Sequence, residues 1–158
     1  MYILISIIIV CLILIAFVSI YNVFQNYSLK VNETEKEIDQ SLRNKYDILS
    51  EIKQKENLEI EIDKIKDENL SSFEFYRKII EIETKMSDIL SEKYTDKIDD
   101  INNKIEAQIK YYNENITLYN RLITKFPSNI VSKITRKKIK NYFDNKNLYD
   151  KNIKDFKL

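Results

Sequence analysis

The sequence predicts an all-α protein: an N-terminal transmembrane helix, then an antiparallel up-down bundle of three long helices plus a short C-terminal helix. Three observations carry this reading. The 158 residues include no Gly and one Pro, whereas tight hairpins and nucleotide-binding loops depend on the positive-φ corners that Gly makes. Residues 2–20 carry no charge. Beyond them, apolar side chains recur in steps of three and four, the spacing of one helix face.

The anchor comes first. Tyr2 to Ile20 is uncharged, and the first charge of any kind is Lys30. Such a run rises about 28 Å as a helix, against a hydrocarbon core of about 30 Å. A cleaved signal peptide carries a basic leading region and a small-x-small site. No Lys or Arg precedes this run, and Ala16 and Ser19 are not two apart. Cys11 follows Ile8-Ile9-Val10, without the small residue of a lipoprotein site. Residues 1–24 are therefore expected to remain as an anchor. Lys30, Lys36, Arg43 and Lys45 follow the span, so the positive-inside rule puts the amino terminus outside a plasma membrane and the bundle in the cytoplasm. A single thiol forms no intrachain disulfide and says nothing of redox compartment.

The bundle is expected over residues 25–143. Tyr27, Val31, Ile38, Leu42, Tyr46, Leu49 and Ile52 form a first stripe, with Thr34 or Glu35 as its skipped rung. Leu58-Glu59-Ile60-Glu61-Ile62 alternates like a strand, but Leu58, Ile62 and Ile65 restore the stripe, so the segment is expected to stay helical. Lys66-Asp67-Glu68-Asn69 interrupts it, and Ser71-Ser72 with Glu74 offers the next N-terminus. Phe73, Tyr76, Ile79, Ile80, Met86, Ile89 and Leu90 carry a second stripe. Thr95 or Asp96 starts a third, running from Ile98 through Ile101, Ile105, Ile109, Tyr112, Ile116 and Tyr119 to Leu122, Ile123 and Phe126. Such faces fold only against one another. Pro127 should stop the third helix near Lys125 and open a shorter one towards Ile139, its edge of Ile130, Val131 and Ile134 laid on the bundle beside Phe126. Ser128 and Asn129 would bond amide hydrogens in its first turn.

Charge is uneven. Residues 1–132 hold 17 basic and 22 acidic side chains, whereas 133–158 hold nine basic against Asp144, Asp150 and Asp155. A solvated tail over 144–158 is the simplest reading, attraction to anionic lipid the next. Nothing else supports a nucleic-acid partner.

Composition also limits the chemistry. Without Gly there is no phosphate-cradling loop; without His there is no Ser-His-Asp triad, HExxH pair or Glu-x-x-His ligand set. Glu81, Glu83, Asp96, Asp99 and Asp100 sit among Lys residues on expected polar faces, where solvated charge is the plain reading. No catalytic residue, cofactor or metal site is singled out, and no enzyme is expected.

Tyr112-Asn113, Tyr119-Asn120 seven residues later, and then Phe126-Pro127-Ser128-Asn129 resemble the C-terminal signature of the LemA family, with Tyr142-Phe143 similar to its closing aromatic pair. Ile20-Tyr21-Asn22 and Ile38-Asp39-x-x-Leu42-x-x-Lys45-Tyr46-Asp47 are similar to its membrane-exit and first-helix motifs. The family's first-helix Trp and its middle Gly are absent, and the interval from Tyr46 to Tyr112 looks shorter by about one helix. The resemblance implies a bundle tethered to the lipid bilayer, expected to act at the inner membrane surface as a structural or protein-interaction module, its partner an unknown protein or a second copy of itself. An oligomeric coiled-coil scaffold and a modulator of a membrane enzyme or sensor are the alternatives. An interruption near Lys55-Glu56 and Pro127 count against an unbroken rod. From the residues themselves, Tyr112, Tyr119 and Phe126 should form a packed seam. Asn113 and Asn120, on a neighbouring stripe, should bond facing backbone or side chains, or line a groove for a ligand or partner.

Overall fold

The computed structural model describes residues 1–60, 62, 65 and 70–143. Among them are five helices and no strand: α1 (Tyr2–Lys55), α2 (Ser72–Lys85), α3 (Ser87–Lys93), α4 (Thr95–Thr124) and α5 (Ser128–Ile134). The all-helical class is the expected one. The anchor and the first bundle helix form the single helix α1, since no Pro or Gly lies between Tyr2 and Lys55 to break it. The second stripe is carried by two helices that meet at Met86. The polar break Lys66–Asn69 and the basic tail 144–158 lie outside the described residues.

Helix ends follow local chemistry. Ser71 and Glu74 form the capping box expected of α2: the Ser71 hydroxyl accepts from the Glu74 amide, and the Glu74 carboxylate accepts from the Ser71 amide. The helical reading of Leu58, Glu59, Ile60 and Ile62 is corrected. α1 stops at Lys55, and Asn57 takes the left-handed conformation at φ 52°. The Leu58 amide then donates to the Lys53 carbonyl and the Asn57 amide to that of Gln54, the paired bonds of a Schellman end. α5 ends the same way, with Arg136 at φ 54° and Lys137 donating to Ser132. It therefore stops at Ile134, short of the expected Ile139. Asn and Arg hold positions that Gly usually fills, and the chain has no Gly.

The chain divides into two compact units. One comprises residues 1–31 and 114–141; the other begins with residues 32–113 and takes up the chain again at Tyr142. In the first, Phe24, Tyr119 and Val131 form a small core, with Phe17, Ile20, Tyr21, Tyr27, Leu122 and Ile123 packed against it. The Phe24 ring meets Tyr119 edge-on at 5.8 Å. In the second, the α1 stripe is buried as expected from Ile38 through Leu42, Tyr46 and Leu49 to Ile52, and its polar rungs Thr34 and Glu35 are buried too. α2 contributes Phe73, Phe75, Ile79 and Ile82, and α4 contributes Ile98, Ile101, Ile105 and Tyr112.

Candidate functional site

The signature asparagines are the most specific polar feature of α4. In the second unit, the Asn113 side-chain amide donates to the Phe143 carbonyl at 2.8 Å, and the Phe143 N–H donates back to Asn113 Oδ1 at 2.8 Å. In the first unit, Asn120 makes the same exchange with Lys140, at 2.9 Å in each direction. One side chain thus offers the backbone of one residue both a donor and an acceptor, as a strand neighbour does. Residues 138–143 lie outside any helix, so their amides and carbonyls need such partners. Of the two readings of these asparagines, the bond to facing backbone is the one seen; both amides are engaged by the chain itself.

Aromatic packing holds the Asn113–Phe143 clamp in place. Phe143 is buried, stacked on Phe73 at 4.0 Å with 21° between the rings, and met edge-on by Tyr112 at 5.8 Å. Tyr76 adds a tilted contact at 5.7 Å. Tyr46, from the first-helix motif, is buried, donates its hydroxyl to the Ile62 carbonyl at 2.9 Å and lies 6.0 Å from Phe75; Asp47 beside it is exposed. In the first unit, burial raises the pKa of Tyr119, and Lys140 Nζ sits 5.7 Å from its ring centre.

Phe126 corrects the expected seam. It is 79% exposed, although seven residues beyond Tyr119. α4 ends at Thr124, and the residue before a proline is disfavoured in the α region, so Phe126 leaves the helical phase that buries Tyr112 and Tyr119. The apolar edge of α5 is corrected likewise: Val131 is buried, but Ile130 and Ile134 are exposed. Pro127 precedes the first helical residue, Ser128. The Ser128 hydroxyl donates to the Lys125 carbonyl at 2.8 Å rather than accepting from an amide hydrogen, and the Asn129 N–H donates to that carbonyl too.

One buried constellation escaped the sequence reading. In the second unit Lys45 of α1, with a 3% exposed side chain, donates from Nζ to Glu83 Oε2 of α2 and to Asn102 Oδ1 of α4, both at 2.6 Å. Asn102 closes the ring by donating to Glu83 Oε1 at 3.1 Å. Glu83 is therefore not a solvated surface charge. The signal was present: Lys45 falls three and four residues from Leu42, Ser41 and Leu49, on the inward face. The ring is closed and charge-balanced, which suits registration of three helices better than proton transfer. At the helix junction, Lys93 and the Tyr94 hydroxyl donate to the Glu56 carboxylate, both at 2.9 Å. Those bonds, the Lys93 one first, hold the Glu56 pKa below its ordinary value; the same bond raises Lys93. Among the described residues, no group of three or more acid or thiol side chains is gathered as a metal site would be.

No curated protein and no solved structure matches this chain. The LemA family model matches residues 19–154, which takes in the membrane-exit and first-helix motifs, both asparagine clamps and the Phe126–Asn129 corner. The chain belongs to the LemA family.

Proposed function

We propose that the protein is a membrane-tethered helical bundle that works as a structural or protein-interaction module in a bacterial plasma membrane, without catalysing a reaction. The observation that carries this is α1 itself. Its first 15 residues, Tyr2 to Ala16, are all exposed, with none of the described residues folded over them, and the helix is long and apolar enough there to cross a bilayer. Large exposed apolar surface is costly in water and marks a region that meets lipid or protein. The same helix runs on without a break into the core of the second unit. The distribution of Lys and Arg after the span supports a cytoplasmic bundle.

The polar groupings support a binding role over a chemical one, because each is closed on itself. The asparagine clamps hold backbone, and the Lys45–Glu83–Asn102 ring is internally satisfied. Photo-crosslinking of the full-length protein in its own membranes, with probes on the exposed face of α4 at Glu106 and Tyr111, tests the reading. Discrete adducts with itself or another membrane protein are expected. Absence of any adduct across a full scan of exposed positions would contradict an interaction module.

A further inference from the structure

Helix α5 is built inside out. Its inward positions are Ser128, Val131 and Ser132, while Ile130 and Ile134 are 50% and 63% exposed and Phe126, one turn earlier, is 79% exposed. A helix end facing water ordinarily places its serines outward and its isoleucines inward. Here the outer face suits an apolar medium.

The surroundings identify that medium. Val131 belongs to the core that Phe17 and Ile20 pack against, and these two lie at the end of the apolar run of α1, just before Tyr21-Asn22. Lys137 reaches the same place, donating to Gln25 and lying 5.7 Å from the Tyr21 ring centre. The corner therefore sits where a span over residues 2–20 leaves the hydrocarbon. Its charge is of one sign. Residues 1–31 and 114–141 carry eight Lys and Arg against Glu114 alone, whereas residues 32–113 carry 14 basic and 21 acidic side chains.

We infer that the α4–α5 corner is a second membrane-contact element, with Phe126, Ile130 and Ile134 set into the headgroup boundary of an anionic bilayer beside the exit of α1. Interfacial helices combine apolar side chains below with Lys and Arg at headgroup level. Lys125, Lys133 and Lys138, all exposed, are placed for that role. Continuity with the span favours lipid as the occupant over a soluble protein. The inference rests on the reading of residues 2–20 as a span.

The test uses the full chain with Cys11→Ser, reconstituted in phosphatidylcholine–phosphatidylglycerol vesicles. An environment-sensitive dye is attached at one introduced cysteine: Ile130→Cys, Ile9→Cys or Lys104→Cys. The dye at 130 should emit to the blue and be quenched by headgroup-level nitroxide lipid, and that at 9 by deep nitroxide. The dye at 104 should behave as in water. Quenching at 130 should weaken in pure phosphatidylcholine; if it does not, the assignment to anionic headgroups is overturned. A watery signal at 130 with quenching at 9 would overturn the corner while leaving the span intact. A blue signal at 130 without lipid quenching would put protein, such as a second copy, on that face instead. Loss of quenching at 9 would remove the span and the corner together.

Discussion

Asn113 and Phe143 trade two hydrogen bonds of 2.8 Å between one side-chain amide and one backbone unit. The arrangement requires a donor and an acceptor on a short side chain. An aspartate in this place would face the Phe143 carbonyl with a second acceptor, and a glutamine would overreach by a methylene. A net hydrogen bond contributes about 0.5–1.5 kcal/mol, so Asn113→Ala should cost about 1–3 kcal/mol. Asn113→Asp should cost at least as much. Denaturant unfolding of the detergent-solubilised protein measures it. Asn120→Asp should behave alike through Lys140. Wild-type stability in both Asp variants would mean that the clamps are incidental.

The Lys45 ring predicts non-additivity. Lys45→Met leaves the Glu83 carboxylate facing the interior without its cation, a loss on the order of 3 kcal/mol for a buried pair. Glu83→Gln should cost at least as much, because the cation it leaves without a counter-charge is Lys45, whose side chain is only 3% exposed. Combining Lys45→Met with Glu83→Leu should recover part of the loss, since no charge is then left stranded. Additive losses would show that the two side chains are not coupled.

Much of this architecture was legible in the sequence, for identifiable reasons. The α4 stripe from Ile98 to Tyr119 and the Ser71–Glu74 cap express local rules that no tertiary contact opposes. The exceptions are positions where a second constraint competes. Phe126 keeps the seven-residue spacing, but the helix has already ended ahead of Pro127. Leu58 to Ile62 keep apolar rungs, but Asn57 turns the backbone left-handed before them. Phe75 and Ile82, buried in α2, lie off the stripe as drawn, because an aromatic-rich helix offers more than one phase. Lys45 reads as surface by residue type, although its position in the stripe points inward. The asparagine partners are expected in kind, but Phe143 and Lys140 lie far along the chain and no local pattern names them.

Acid should weaken the α1–α3 junction. The Glu56 pKa is lowered by its bonds from Lys93 and Tyr94, so its contribution is present above the unfolded value of about 4.3 and lost as pH falls through the lower folded value. Lys93, raised by Glu56, contributes fully below about 10.4 and loses that as pH rises through its higher folded value. Both groups are solvent-facing, so the effect is small and screened by salt. Glu56→Gln should flatten the acid limb of Tm against pH relative to wild type. An unchanged limb would assign the acid sensitivity elsewhere.

The left-handed helix ends predict a gain from glycine. A non-Gly residue in that conformation costs about 1–2 kcal/mol, less for Asn. Arg136→Gly should therefore stabilise the protein by about 1 kcal/mol after the entropy that Gly adds to the unfolded chain. Asn57→Gly should gain less, and Asn57→Val should lose stability. Thermal unfolding orders the three.

The tether is tested most directly by membrane fractionation. In Ile9→Lys/Leu12→Lys each charge at mid-span costs about 2.5–3.5 kcal/mol on insertion scales, enough to offset several apolar residues of α1. Wild-type protein should stay with carbonate-washed membranes, and the double variant should move to the soluble fraction with its helical content largely kept. Wild type released by carbonate, or a double variant that stays as firmly bound as wild type, would contradict a bundle held to the membrane by residues 2–20.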